Sequence, residues 1–100
     1  MSKLTDLTDK YVIVRCRDAG VHAGEIVSYQ GRECVLRNSR RLWYWYPKEG
    51  KWLDAVALTG LRKESRLGPT NPGMKVLTEN CEIIECSQIG EHSIRNHPDD

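Results

Sequence analysis

Short β-rich segments follow one another along the first half of the chain at intervals of about ten residues. They occupy residues 11–17, 21–29, 33–36 and 41–46, and turn-forming residues (Asp18-Ala19-Gly20, Gln30-Gly31, Asn38-Ser39) separate them. Strands this short and this evenly spaced are typical of an antiparallel meander. We therefore predict a mainly β (α+β) fold, a small antiparallel meander, barrel or roll with one short helix.

The second half of the chain gives a less regular pattern. Residues 52–61 carry an approximate helical stripe, which predicts the short helix with its end at Gly60. Residues 63–73 contain two prolines and two glycines and predict an exposed loop, either mobile or used in binding, before closing strands at 74–77 and 81–86. The expected organisation is an N-terminal extension (1–10), one β-rich domain (11–90) and a flexible C-terminal tail (91–100).

Composition narrows the classes of function. A chain of 100 residues with 39% apolar and 29% charged side chains is that of one ordinary globular domain. It has no apolar run of the roughly 20 residues that a membrane span needs, and residues 1–10 do not resemble a signal peptide, so we expect a cytoplasmic protein that does not interact with membranes. Fifteen basic and fourteen acidic residues leave a net charge of +1, which does not favour nucleic acid as a partner.

The residue types that usually support catalysis or metal binding lack a recognisable arrangement. The four cysteines, at 16, 34, 81 and 86, form no Cys-x-x-Cys pair, and most lie in apolar strands where a reduced cysteine acts as a small hydrophobic residue. No nucleophile, general base or metal-ligand motif is found. We therefore expect a protein that is not an enzyme, with no catalytic residue, no metal and no cofactor.

The aromatic run Arg40-Arg41-Leu42-Trp43-Tyr44-Trp45-Tyr46 is the most unusual segment of the sequence. On a regular strand Arg41, Trp43 and Trp45 would share one face, and Leu42, Tyr44 and Tyr46 the other. One set is expected to fill the core, and the sequence does not decide which. The other set would then face water, a ligand or a partner chain.

An exposed aromatic pair beside a guanidinium suits a nucleotide, because rings stack on bases and arginine binds phosphate through paired hydrogen bonds. It equally suits a protein interface, where Trp, Tyr and Arg are enriched. Nearby, Gly20 and Gly24 would let backbone amides approach a ligand or would form a turn and a bulge. His22, between them, is the one histidine of the expected domain and is more often structural than catalytic in such a setting.

Three stretches carry a resemblance to a known family: Y-V-I-V-R at 11–15, A-G-V-H-A-G at 19–24 and V-L-R-N-S-R-R-L-W-Y-W at 35–45. Together they resemble a family of small bacteriophage-encoded domains of unknown function, over most of residues 11–90. The sequence departs from the family pattern after Trp45, where residues 46–52 replace a stretch of small residues. The resemblance implies a phage protein acting in the cytoplasm of an infected bacterium, where such proteins bind host proteins, nucleic acid or the nucleotide signals of host defence.

The leading hypothesis is a non-catalytic, homo-oligomeric protein that binds a nucleotide-derived small molecule, as a sponge that sequesters a defence signal. Trp43 and Trp45, or Tyr44 on the other face, would stack on the base, and Arg40 and Arg41 would neutralise phosphate. The alternatives are a protein–protein module that uses the aromatic strand against a host protein or a second copy, and a single-strand nucleic-acid binder. The set of expected ligand-binding residues is Gly20, His22, Gly24, Arg40, Arg41, Trp43, Tyr44 and Trp45.

Overall fold

Residues 6–100 are described by a computed structural model, and in them six strands and two helices follow in chain order. Residues 1–5 of the expected N-terminal extension lie outside this range. The elements are β1 (Tyr11–Cys16), β2 (Gly20–Gln30), β3 (Glu33–Tyr44), α1 (Leu53–Thr59), β4 (Arg66–Leu67), β5 (Asn71–Leu77), β6 (Asn80–Glu85) and α2 (Gln88–Asn96).

All pairings between these strands are antiparallel, in the order β4-β3-β2-β1-β6, with β5 on the same side of β3 as β4. A two-residue turn joins β5 to β6, so the chain runs from one edge of the sheet to the other and the sheet curls into a roll. The prediction of a mainly β meander is confirmed. A second helix, α2, accompanies the short helix that the sequence predicted, and α1 ends before Gly60, whose φ is +92°.

Strand β3 is one continuous strand of 12 residues where the sequence predicted two strands and a corner. Asn38 takes a left-handed conformation with φ of +54°. The pairing with β2 shifts by one residue here, from Glu25↔Arg37 to Ala23↔Arg40. The turn-forming residue therefore makes a β-bulge, because β2 and β5 pair with β3 on both sides of it and keep the strand running.

The sheet is buried on both faces, and alternate residues of β1 serve different cores. Helices α1 and α2 cover one face, where the core consists of Tyr11, Ile13, Ala23, Leu42, Leu53, Val56, Ala57, Leu61, Leu67 and Ile94. The curl of the sheet encloses the other core, made of Val12, Val14, Cys16, Ile26, Cys34, Leu36 and Leu77. This double burial explains why β1 is apolar at nearly every position.

The C-terminal segment differs from the flexible tail expected at 91–100. Helix α2 runs through Asn96, its Ile94 is fully buried, and the Asp100 amide donates to the Leu67 carbonyl at 2.9 Å. The expected loop at 63–73 likewise contains β4 and the start of β5, with Leu67 in the core. Among residues 6–100, neither helix has the length and apolar character needed to cross a membrane.

Candidate functional site

The aromatic end of β3 does not keep the alternation that the sequence predicted. Leu42 pairs with Leu67 and Tyr44 with Arg66, so Trp43 is an extra residue of β3 opposite β4. This bulge turns both Trp43 and Tyr44 outward, with 48% and 50% of their surface exposed. The expectation that one complete alternate set fills the core is wrong. In one set only Leu42 is buried, and in the other only Trp45 is as much as half-buried.

The exposed rings line an open cleft of about 740 Å³, which we call the aromatic cleft. The Trp43 and Tyr44 rings lie 4.7 Å apart between centroids at an angle of 40°. The Arg66 guanidinium lies 5.8 Å from the centre of the Trp43 ring, within the range of a cation–π contact. The cleft is lined by Trp43, Tyr44, Tyr46, Arg62, Glu64 and Arg66.

Hydrogen bonds connect the two chain segments that line the aromatic cleft. The Arg62 amide donates to the Tyr46 carbonyl at 2.8 Å, and the Tyr46 amide donates to the Ser65 hydroxyl at 3.0 Å. The Lys48 amide donates to the Gly60 carbonyl at 2.9 Å. The segment after β3 is thus fixed to the segment after α1, so the hydrogen bonds of the fold hold the cleft in shape.

A smaller groove of about 340 Å³, the turn groove, adjoins the same tryptophan. It brings together four of the expected ligand-binding residues: Gly20, Arg41, Trp43 and Trp45. Gly20 has a φ of +85° in the turn between β1 and β2, and a side chain there would meet open space. Trp43 stands between the two depressions and lines both.

Arg40, expected to neutralise phosphate, is buried and directed away from this surface. Its guanidinium donates to the carbonyls of Gly68, Ile94 and His97 at 2.7–2.8 Å and to the Asp99 carboxylate at 2.9 Å. Only 2% of the residue is exposed. Adjacent strand residues point to opposite faces, and the face of Arg40 is the one on which the C-terminal segment packs. The remaining N–H of Arg40 reaches the Pro98 carbonyl at 3.5 Å, so Arg40 holds that segment and leaves no donor for a ligand.

His22 and Gly24 are also buried within the sheet. The His22 Nε2–H donates to the Ala19 carbonyl at 2.8 Å, and Nδ1 accepts from Lys75 at 3.3 Å. Burial lowers the pKa of His22, and the nearby Lys75 and Arg41 charges lower it further. Gly24 lies opposite the bulge of β3, where a Cβ would be 3.0 Å from the Ser39 Cα. The close approach that this glycine allows is to β3 and not to a ligand.

Sequence reasoning left four residues of the aromatic cleft out of the expected binding set, namely Tyr46, Arg62, Glu64 and Arg66. The last three belong to the segment Arg62-Lys63-Glu64-Ser65-Arg66, of which residues 63–66 fall in the exposed loop expected at 63–73. The binding role left open for that loop was the available signal. Its partner could not be identified, because only the pairing of Tyr44 with Arg66 brings the loop to the aromatic residues.

The aromatic cleft and the turn groove offer flat rings and cationic donors, a combination suited to a planar ligand with a negative charge. Across residues 6–100, no three His, Cys, Asp or Glu side chains come together as a metal site would require. The cysteines are all reduced and stand apart from the clefts. Burial raises the pKa of the Cys16 and Cys34 thiols, and it raises the pKa of Cys86 to about 12.

Comparison with known proteins places the chain in one family. Residues 9–94 match the family described as "Domain of unknown function (DUF6948)". Searches of curated proteins and of solved structures return no significant match. Since the match covers both cores, the aromatic cleft, the turn groove and nearly all of the described elements, the chain belongs to this family of uncharacterised domains.

Proposed function

We propose that this chain is a non-catalytic protein that binds a nucleotide-type ligand in the aromatic cleft. The observation that carries the proposal is the Arg66 guanidinium placed over Trp43, which in turn contacts Tyr44. A base stacks on such rings irrespective of its identity, and a guanidinium beside them binds the phosphate. The cleft volume of about 740 Å³ falls in the range typical of small-molecule sites.

Each residue of the aromatic cleft has a distinct role in this proposal. Trp43 and Tyr44 stack on the base, and Arg62 and Arg66 bind phosphate oxygens. Glu64, the one carboxylate among the residues that line the cleft, accepts a hydrogen bond from an exocyclic amino group of the base. The ionic partner of Arg66, Asp100, is 3.5 Å away at the surface, where exchange for a phosphate has little cost.

The biological role that we propose follows from the family resemblance. A phage protein with this cleft would act in the host cytoplasm by lowering the free concentration of a nucleotide signal used in host defence. Sequestration needs no catalytic group. It needs only a dissociation constant below the working concentration of the signal and enough copies of the protein. The proposal therefore requires stoichiometric binding without turnover of the ligand.

Calorimetric titration with a panel of linear and cyclic nucleotides tests the proposal. Trp43→Leu is expected to weaken binding of the active nucleotide about 5- to 150-fold, since one stacking contact contributes roughly 1–3 kcal/mol. Arg66→Ala is expected to weaken it about 10- to 150-fold, since a hydrogen bond to a charged group contributes roughly 1.5–3 kcal/mol. The matched controls are Trp52→Leu and Arg32→Ala, which remove an exposed tryptophan and an exposed arginine outside the aromatic cleft and the turn groove. A panel without any binding, or equal losses in the controls, overturns the proposal.

The same samples discriminate the competing functions. If the aromatic cleft is an interface for a second copy, light scattering will show a mass above one chain that Trp43→Leu reduces, and nucleotides will have no effect. If it binds a host protein, Trp43→Leu will abolish a stable complex with that protein, again without a nucleotide effect. Hot-spot residues of the type found here serve either kind of interface.

A further inference from the structure

A second depression of about 540 Å³ adjoins the aromatic cleft, and we call it the basic cleft. Arg62 and Glu64 line both, so the two form one continuous surface. Helix α2 supplies the opposite wall. The residues that give the basic cleft its character are Lys48, Arg62, Lys63, His92 and His97.

The cations of the basic cleft are available to a ligand. Most basic side chains elsewhere on the described surface are in ion pairs, as in Arg15 with Glu82 at 2.8 Å and Arg95 with Glu91 at 2.8 Å. Within residues 6–100, Lys48, Arg62 and Lys63 have no carboxylate within ion-pair distance. The near-zero net charge of the chain therefore conceals a local excess of positive charge at this position.

The basic cleft is also held by the fold. Pro47 and Leu61 form an isolated antiparallel bridge, which sets Lys48 and Arg62 on neighbouring segments. The Leu61 amide donates to the Ser93 hydroxyl of α2 at 2.9 Å, and the His97 ring contacts the Ser65 carbonyl at 2.6 Å through Nε2. Cations on such a fixed frame lose less freedom when an anion binds.

We infer that the ligand is a nucleotide chain with at least two phosphate groups, one bound beside the aromatic rings and the next bound in the basic cleft by Lys48 and Lys63. This inference rests on the proposed function and specifies its substrate class. Arg62, shared by both clefts, lies between the two phosphates. A mononucleotide fills only the aromatic cleft and leaves the lysines without a partner.

The test compares ligands of increasing length by calorimetry. The probes are the four 5′-mononucleotides, the matching 5′-phosphorylated dinucleotides, their cyclic forms and a ten-residue oligonucleotide. The dinucleotide is expected to bind at least tenfold more tightly than the mononucleotide with the same base. In the double variant Lys48→Ala/Lys63→Ala this gain disappears, while mononucleotide binding is unchanged. Lys51→Ala, an exposed lysine outside both clefts, is the matched control and leaves both affinities as they were.

Salt dependence gives a readout that a merely structural role of the lysines would not change. For a single strand, each phosphate that a protein cation neutralises contributes about 0.7 to the slope of log affinity against log salt. Since Lys48 and Lys63 together neutralise one phosphate, the double variant is expected to lower the slope for the dinucleotide by about 0.7. An affinity that stops rising at two residues identifies a small signal molecule. One that rises further to ten residues identifies the end of a nucleic-acid strand.

The two proposals fail in different ways. If neither mononucleotides nor dinucleotides bind, the proposed function is wrong and the inference falls with it. If mononucleotides bind and the dinucleotide gains nothing, the inference is wrong and the proposed function stands. The inference is equally wrong if the gain persists in Lys48→Ala/Lys63→Ala.

Discussion

Replacing Arg40 by methionine tests the conclusion that this residue fastens the C-terminal segment and does not bind a ligand. Methionine keeps most of the apolar volume of arginine and removes every donor. The carbonyl of Ile94, bonded to Arg40 at 2.7 Å, would then lose a buried charge-assisted hydrogen bond and keep only the longer one from the His97 amide at 3.3 Å, at a cost of about 1–3 kcal/mol. The carbonyls of Gly68 and His97 are only partly buried and partly rehydrate, at a cost of about 0.5–1.5 kcal/mol each.

The sum predicts that Arg40→Met lowers the free energy of unfolding by about 2–6 kcal/mol, a large part of the 5–15 kcal/mol typical of a domain. Asp99 adds little, because 64% of its side chain is exposed and its carboxylate returns to water. Urea unfolding followed by tryptophan fluorescence measures the change. The matched variant Asp99→Asn is expected to cost less than about 1 kcal/mol. An Arg40→Met protein that unfolds within about 0.5 kcal/mol of the unmodified chain would refute the assignment of Arg40 as a structural anchor.

Two further predictions address packing and pH. Gly90→Ala should destabilise the protein by about 2 kcal/mol or more, although alanine favours helices. The reason is that the added Cβ collides with the Ala57 carbonyl where α2 crosses α1. A thermal-unfolding experiment measures this, and an unchanged or higher melting temperature contradicts it. Because burial lowers the pKa of His22 from its ordinary 6.5, its contribution to stability is present above pH 6.5 and is lost as pH falls below it. Urea unfolding at pH 7.5 and 5.5 should show this loss, His22→Gln should reduce it, and an equal loss in both proteins would exclude His22 as its source.

Much of the fold could be predicted because the relevant signals are local. The β-branched run of β1 and the glycine after α1 act within a few residues of themselves, and both predictions agree with the structure. Asn38 shows the limit of such signals. A left-handed asparagine forms either a corner or a bulge, and the choice depends on whether distant strands pair on both sides of it. Here β2 and β5 do so, and the strand continues.

Sequence reasoning missed helix α2 and the buried position of Arg40 for a related reason. Helix α2 contacts α1 through Gly90 and buries only one large apolar residue, Ile94, so its sequence offers few apolar positions from which a helix could be predicted. Arg40 and Arg41 are neighbours of the same type, and alternation shows that they point to opposite faces. Which face is interior depends on where the C-terminal segment packs, and that segment lies more than fifty residues further along the chain. The partners of the aromatic residues in the cleft are distant in the same way.

The exposed rings alone supply little net binding free energy, so the charged residues of the clefts are needed for affinity. Trp43, Tyr44 and Tyr46 each leave about half of their surface in water. At about 150–250 Å² for a whole aromatic side chain and about 25 cal/mol per Å², covering all three exposed halves would contribute roughly 6–9 kcal/mol at most. The loss of free motion on association is estimated at about 4–15 kcal/mol, which offsets much or all of that contribution. The surplus must therefore come from the charge-assisted hydrogen bonds of Arg62 and Arg66, and from the lysines of the basic cleft when a second phosphate is present. Removing either the rings or the cations is accordingly expected to abolish most of the binding.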